Sequence, residues 1–505
     1  MANVLVHLPI VAFIALFIWL LRSYLRLRHI PGPFLASITN LPRVQWVRSN
    51  KAHDIHVALH RKYGKIVRFG PDMVSVQDPR EIAKIYNYAG TFPKSDFYRV
   101  LLFFARGKPV PTIFATQDDN LHRTLRKPIA PIYSMSNMMS FERYVDSTIS
   151  VFFNQLETRY IKTGAVCDLG TWLQWFAFDF MGEITFSKRL GFLEGAEDVG
   201  GITENIWKYF QKTSPISQIP WVDRLWTKNP IFQSLKSVSA NPVVAFGIER
   251  AKERQMQGKE GAAEHAGDLN EKDFLSRFLA AIKKDPSIPP FALTAWTTSN
   301  VTAGSDTTAI LLRTIFHSLL THPDSMQRLM EELDTASSES RLCQPAKWNE
   351  ARNLPYLDAV IKEAGRLHPP FGLPLERVVP APGATICGEF LPAGTVVGMS
   401  GWVVHRDMDT FGLDCDDWRP ERWIECSEEE RRSMEHALLT FGAGNRTCLG
   451  KNISYLEIYK LVPSMLKAFD FQLADPTDSS WKIMNRWFVN QEGLKVIIRP
   501  RKVVV

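Results

Sequence analysis

The chain has 505 residues, 45% hydrophobic and 22% charged, with a formal net charge of +7. That is a globular composition with room for one large domain or several ordinary ones. Six cysteines (Cys167, Cys343, Cys387, Cys415, Cys426, Cys448) show no C-x-x-C spacing, which excludes a zinc framework or small disulfide scaffold and suits a reducing compartment. No long Lys/Arg block occurs, so no nucleic acid is expected as a partner; the mild positive balance fits an acidic protein or an anionic membrane surface.

Val4 to Leu21 is apolar except for His7, with a proline at position 9. Eighteen helical residues span roughly 27 Å, close to the hydrocarbon thickness of about 30 Å. Arg22, Arg26, Arg28 and His29 follow, while Met1-Ala2-Asn3 carries no basic side chain, so the positive-inside rule leaves the bulk of the chain in the cytosol. A cleaved signal peptide is the competing reading, but it carries its charges before the apolar core and small residues after it. The expected division is a membrane anchor with a basic flank at 1–28, a Pro-rich hinge at 29–40 stiffened by Pro31-Gly32-Pro33, and one domain over 41–505.

His53 to Tyr63 reads as a helix. Ile66 to Phe69 and Met73 to Val76 read as two short strands around Gly70-Pro71-Asp72, a hairpin signal. From Arg80 onward most of the chain reads as helices between Pro- and Gly-marked turns. His122 and Arg126 stand one helical turn apart. Pro215 to Pro230, with Ile216, Ile219, Trp221, Leu225 and Trp226, suits either contact with a bilayer surface beside the anchor or ordinary packing between two helices. Gln255 to Asp273, polar and low in β-branched residues, reads as a solvated loop.

Phe291 to Leu320 reads as one long helix. Its middle, Ala303-Gly304-Ser305-Asp306-Thr307-Thr308, is odd chemistry for a buried helix. A glycine, an acid and two threonines weaken an interior turn, and local rules fail mainly at functional sites. Glu363 and Arg366 share one face of a helix over Tyr356 to Leu367, and Trp418-Arg419-Pro420-Glu421-Arg422-Trp423 follows. Phe441-Gly442-Ala443-Gly444-Asn445-Arg446-Thr447-Cys448-Leu449-Gly450 then sets a single cysteine in a glycine-punctuated loop, ahead of a helix expected over Asn452 to Phe469. Gly442, Gly444 and Gly450 permit angles and close approaches that a side chain would block. Helix-start N–H groups near Cys448 favour a thiolate, and Arg446 supplies a fixed cation two residues before it. One thiolate with one nearby cation suits a planar metal cofactor bearing carboxylates, which is haem. The plainer alternatives are a small buried hydrophobe and a phosphate loop.

The cysteine loop resembles the haem-binding signature of the cytochrome P450 superfamily, F-x-x-G-x-R-x-C-x-G, at all five fixed positions. The Ala303–Thr308 stretch is similar to that family's oxygen-activation motif, A/G-G-x-D/E-T-T/S. The resemblance implies a mainly α fold with a minor β-sheet region, plus one N-terminal transmembrane helix. It makes Cys448 the fifth iron ligand of haem b, pushing electron density toward O–O cleavage, within a loop that includes Phe441, Gly442 and Arg446. His122 and Arg126 correspond to the family's W-x-x-x-R, and with Arg377 they would reach haem propionates. Ala303 and Gly304 would keep room above the haem, and Asp306 and Thr307 would relay protons. Glu363, Arg366 and Arg422 would form a buried structural network, with Trp423 where the family usually has Phe. Phe103 and Phe104, Phe371 to Leu375 and Trp487-Phe488 match regions that line the substrate pocket.

The reaction so implied is monooxygenation of a lipophilic small molecule by O2. No P-loop or G-x-G-x-x-G module is visible and only 55 residues follow Gly450, so electrons are expected from an NADPH-dependent flavoprotein reductase. The microsomal class of the family implies a single-pass protein of the endoplasmic reticulum, its catalytic domain facing the cytosol. Thr91-Phe92-Pro93-Lys94 and His122 to Lys127 look most like fungal secondary-metabolism members of the pisatin demethylase type. Desaturation, phenol coupling or peroxide rearrangement by the same scaffold, and a non-catalytic haem sensor, are the rival readings.

Overall fold

Short β-branched runs bounded by turn residues form strands, and the hairpin expected around Gly70-Pro71-Asp72 is present. The structure is a computed structural model in which residues 14, 17–18, 20–105, 108–229, 243, 246–250, 252–253, 273–477 and 481–501 are described. Ile66–Gly70 (β1) pairs antiparallel with Met73–Val76 (β2), with Ile66 opposite Val76. Arg377–Val378 (β3) and Val396–Gly398 (β4) complete a four-stranded sheet of order β1-β2-β4-β3, with β4 parallel to β2 and antiparallel to β3.

The remainder is chiefly helical. Ala52–Tyr63 (α1) leads into β1, as expected. Asp119–Arg126 (α2) starts on an N-cap, Asp118, whose carboxylate accepts the Asn120 and Leu121 N–H groups. Leu169–Phe186 (α3) is apolar almost all round, the pattern of a helix enclosed by others. Ile202–Ser217 (α4), Ala292–Thr321 (α5), Pro355–Leu367 (α6) and Lys451–Ala468 (α7) follow. Proline opens α6, where its missing N–H has no helical partner to lose. The main core forms where α3, α5 and α7 meet, with Phe176, Phe180, Leu311, Ile315 and Leu461 fully or almost fully buried. These helices support the site described below.

The expected anchor, Val4 to Leu21, falls mostly outside the described residues. Among the described residues, no helix is long and apolar enough to cross a membrane. Residues 20–26 are helical, and Ile14, Phe17, Ile18, Leu21 and Leu25 recur at helical spacing with all five side chains exposed.

Residues 29–40, expected as a hinge, are packed against the sheet. The Pro31 carbonyl accepts the Arg68 N–H at 2.7 Å, and a Cβ at Gly32 would lie 2.3 Å from the Arg68 carbonyl oxygen. The Arg68 guanidinium is buried and donates to the Tyr24, Ser23 and Ser37 carbonyls. A buried guanidinium needs acceptors, and the incoming segment supplies them.

Of Gln255 to Asp273, only Asp273 is described, and its carboxylate caps the helix Phe274–Lys284. Pro215 to Pro230 is described as far as 229, and it leaves Trp221, Leu225 and Trp226 between 61% and 70% exposed.

Candidate active site

The cysteine loop is closed by its own backbone. Cys448 N–H donates to the Phe441 carbonyl at 2.8 Å, and Gly442 N–H to the Leu439 carbonyl at 2.9 Å. Gly442 and Gly444 hold φ of 67° and 66°, angles that favour glycine. At Gly444 a Cβ would also lie 1.9 Å from the Tyr86 carbonyl oxygen. Gly450 differs from expectation: its φ is −83° and a Cβ would meet nothing within 4 Å. The Cys448 side chain is accessible although protein surrounds it, so it opens onto an internal slot. Burial pushes the thiol up. The Gly450 and Lys451 N–H groups at the start of α7, with Arg126 and Lys451 as the nearby cations, pull it down.

Arg446 is not one of those cations. Its guanidinium pairs with Asp119 on α2 and donates to the Thr116 carbonyl at 3.1 Å. Arg126 donates to the Thr447 carbonyl at 3.0 Å, which places it beside the cysteine. Arg377 donates to Tyr98 Oη at 3.3 Å and to the Glu376 carbonyl. Lys94 joins this group and was not among the expected site residues. It bridges to Arg377 across the strand edge, its Nζ lies 4.1 Å from the Tyr98 ring centre, and it donates to the Phe114 carbonyl. Burial, Arg377 and Arg446 together push the Lys94 ammonium well below the ordinary lysine range. His122 is buried with Nε2 unpartnered, and burial and Arg446 push it down to about 3.

A cofactor with acidic groups fits this arrangement. Lys94, Arg377 and Arg446 crowd together with Asp119 as the acid among them, and a buried imidazole nitrogen beside them lacks a partner. Buried cations are stable only when paired. Haem propionates would supply that charge, and the Cys448 sulfur is a donor suited to iron.

The long helix α5 turns two faces to two environments. Ala303 is exposed and Thr307 half-buried, one turn apart, while Ser305, Asp306 and Thr308 between and beside them are buried. Thr307 Oγ1 donates to the Ala303 carbonyl at 2.7 Å. Thr308 Oγ1 donates to Ser454 Oγ at 3.1 Å, so α5 meets the first turns of α7 close to the cysteine loop. The space expected at Gly304 belongs to the helix contact instead: a Cβ there would lie 2.8 Å from Met181 of α3. Asp306 is buried, accepts from Gln174 Nε2 at 2.5 Å, and is pushed up to about 6 by burial.

Because the folded value is raised, Asp306 favours the fold when protonated and opposes it above about pH 6. Asp306→Asn is therefore expected to remove a loss of roughly 2–3 kcal/mol that the wild type suffers between pH 4 and pH 8. Thermal midpoints of the two proteins across that range check this: they should diverge as pH rises.

The Glu363 network forms as expected and gains a member. Arg366 binds Glu363 through two N–H groups at 2.8 and 2.7 Å, and Arg422 Nε adds a third at 3.0 Å. The Arg419 backbone N–H and Trp423 Nε1 also donate, at 3.0 and 2.9 Å. The network reaches the cysteine loop through His405. Arg366 donates to the His405 carbonyl, and the His405 Nε2 accepts the Leu439 N–H at 2.7 Å. Thr440 then donates to the Gly365 carbonyl at 2.8 Å.

On the substrate side, aromatic rings gather. Phe371 stacks with Phe114 and meets Trp487 and Phe488, and Phe488 meets Phe210 of α4 edge-on. Phe103 and Phe104 lie on a short strand, Phe103–Ala105, paired with Lys108–Val110.

Comparison with known proteins agrees with this geometry. The cytochrome P450 family matches residues 31–498, and the chain belongs to that family. Membership brings a haem-thiolate cofactor with iron, a redox-partner reductase, O2 and a substrate. The particular relatives are fungal. A cytochrome P450 monooxygenase of Aspergillus terreus is 59% identical over 92% of this chain and 94% of its own length. The monooxygenase cicH of Emericella nidulans is 51% identical over 97% of each. The monooxygenase pkfB of the same fungus is 46% identical over 96% of this chain and 94% of its own.

Proposed function

We propose that the protein is a membrane-anchored haem-thiolate monooxygenase that inserts one atom of O2 into a lipophilic small molecule, by hydroxylation, epoxidation or oxidative demethylation, in fungal secondary-metabolite biosynthesis. One observation carries the reading: an accessible Cys448 thiol receives two N–H groups at the start of α7, whose first turns meet α5, the helix that leaves Ala303 exposed and Thr307 half-buried. Cys448 would hold the iron of haem b. Lys94, Arg377, Arg446 and His122 would hold its carboxylates, and Arg126 sits against the cysteine. Bound haem supplies the electron transfer and oxygen activation, which the thiolate favours.

The chain's own part is positioning, exclusion of water and proton supply. The aromatic group around Phe371 and Phe488 offers an apolar, ring-lined wall for substrate. Asp306 carries a proton at pH near 6 and Thr307 an exchangeable one at Oγ1, and the two stand about 100° apart around α5. An acid poised near neutrality suits proton transfer. Thr307→Ala is expected to retain haem but divert reducing equivalents to peroxide, lowering coupling of NADPH to product at least about tenfold; unchanged coupling would remove Thr307 from the relay. The decisive experiment for the class of reaction is turnover under ¹⁸O₂ with an NADPH-dependent flavoprotein reductase. One labelled oxygen atom in the product is the expected result, and unlabelled desaturated or coupled product would refute it.

The membrane reading draws support from the exposed Ile14, Phe17, Ile18, Leu21 and Leu25, and from Trp221, Leu225 and Trp226. The charges after the apolar run support a cytosolic catalytic domain, and resemblance to the microsomal class supports residence in the endoplasmic reticulum. The full chain should float with phospholipid vesicles and a chain lacking residues 1–28 should do so more weakly; equal flotation would count against the anchor.

A further inference from the structure

Asp306, Ile310 and Arg313 share one face of α5, turned about 100° from the Ala303–Thr307 line. That face borders a cleft of about 150 Å³. Gln174 from α3, Thr203 and Glu204 from the first turn of α4, and Asn490 give the cleft polar lining, alongside Trp207 and Phe488. A water needs only about 10–15 Å³ of such volume and two to four polar partners, so the cleft has room and partners for several.

The inner end is rigid. Arg313 is buried and donates to the Gly170 carbonyl at 2.8 Å, to Asn490 Oδ1 at 2.7 Å and to Gln174 Oε1 at 2.8 Å. A guanidinium only donates, so it fixes which end of the Gln174 amide is oxygen and turns the Nε2 donor to Asp306 Oδ1 at 2.5 Å. Among the described residues, Gln174 is the one side chain that hydrogen-bonds the Asp306 carboxylate. The charged groups facing Asp306 are Arg313 on its own helix, Asp198 ahead of α4, and Glu204 on α4, while α3 offers the neutral Gln174.

We propose that this cleft is the inlet through which solvent protons reach Asp306, and that Gln174, clamped by Arg313, is the positioning residue that aims the carboxylate between the cleft and Thr307. The step is a proton transfer without redox change. A proton enters from solvent at the mouth, where Glu204 is exposed, and each water of the cleft gains one O–H bond as it gives up another, until a carboxyl O–H bond forms on Asp306 and every water is left neutral. The proposal rests on the reading of Asp306 and Thr307 as a relay.

The test is hydrogen–deuterium exchange of the Asp306 carboxyl in the CO-bound holoenzyme, followed by infrared difference spectroscopy after rapid mixing into D2O, with the band assigned by its loss in Asp306→Asn. Thr203→Trp, or Ile206→Trp should the first variant fail to retain haem, is expected to slow exchange at least tenfold by filling the cleft, while Thr307→Ala leaves the rate unchanged. Exchange slowed by Thr307→Ala and not by the cleft variants, or equal in all of them, overturns the inlet. Gln174→Leu is expected to move the Asp306 titration midpoint upward by removing its donor, and an unmoved midpoint overturns the clamp. Slowed exchange in the cleft variants with undiminished coupling in Asp306→Asn would instead refute the relay and leave the inlet standing.

Discussion

Cys448→Ala is expected to give a protein whose reduced, CO-bound spectrum lacks the thiolate-type Soret band and whose monooxygenase activity is lost completely. The reason is local. Cys448 is the cysteine that opens onto the slot, and it alone receives the Gly450 and Lys451 N–H groups that stabilise negative charge on sulfur. Other cysteines cannot substitute: Cys167 is buried and its thiol is pushed above the usual range, and Cys415 is buried beside Arg406. Haem retained without the thiolate band would be held by the cations Lys94, Arg377 and Arg446 through its carboxylates. A variant that keeps the wild-type band would show that another side chain holds the iron, and the reading of the site would fail with it.

Glu363→Ala is expected to be the most damaging single change outside the cysteine loop, costing about 3–5 kcal/mol, the usual price of removing one partner of a buried ion pair. Glu363 is fully buried and receives five hydrogen bonds, four from side chains and one from the Arg419 backbone. Its loss leaves Arg366 as an uncompensated buried charge and Arg422 with Asp414 as its remaining acid. The effect reaches the cofactor site because Arg366 holds the His405 carbonyl and His405 holds Leu439, two residues before the loop. Purified Glu363→Ala should therefore carry little haem and unfold at a lower temperature. Trp423→Phe is the mild counterpart: it takes one donor of the five and should cost about 1 kcal/mol. Wild-type haem content and thermal midpoint in Glu363→Ala would show that the network does not hold the loop.

The parts of the site that read clearly from sequence are those whose chemistry lies within a few residues. Cys448, its glycines and the Ala303–Thr308 stretch are contiguous, and Glu363 and Arg366 meet through helical spacing alone. Helix ends were legible to within a residue or two because proline, glycine and capping side chains mark them. What was not legible depends on elements far apart in the chain. Lys94 lies beside Arg377 only because the chain folds back along the sheet edge. Gln174 reaches Asp306 because α3 packs on α5 at a glycine, so Gly304 serves Met181 where clearance for the cofactor was expected. Nearness in sequence marks Arg446 as the cation of the thiolate, but α2 offers it Asp119 and the role falls to Arg126 and Lys451. Trp423 passes as a simple aromatic exchange until its indole N–H is seen on Glu363.

The packed 29–40 segment has a mechanical consequence. Arg68 clasps the Ser23, Tyr24 and Ser37 carbonyls, and Arg26 ties to Asp72. The helix over 20–26 is thus tied to the sheet at Ser23, Tyr24 and Arg26. A force that orients that helix is therefore passed to the sheet through these hydrogen bonds and this ion pair.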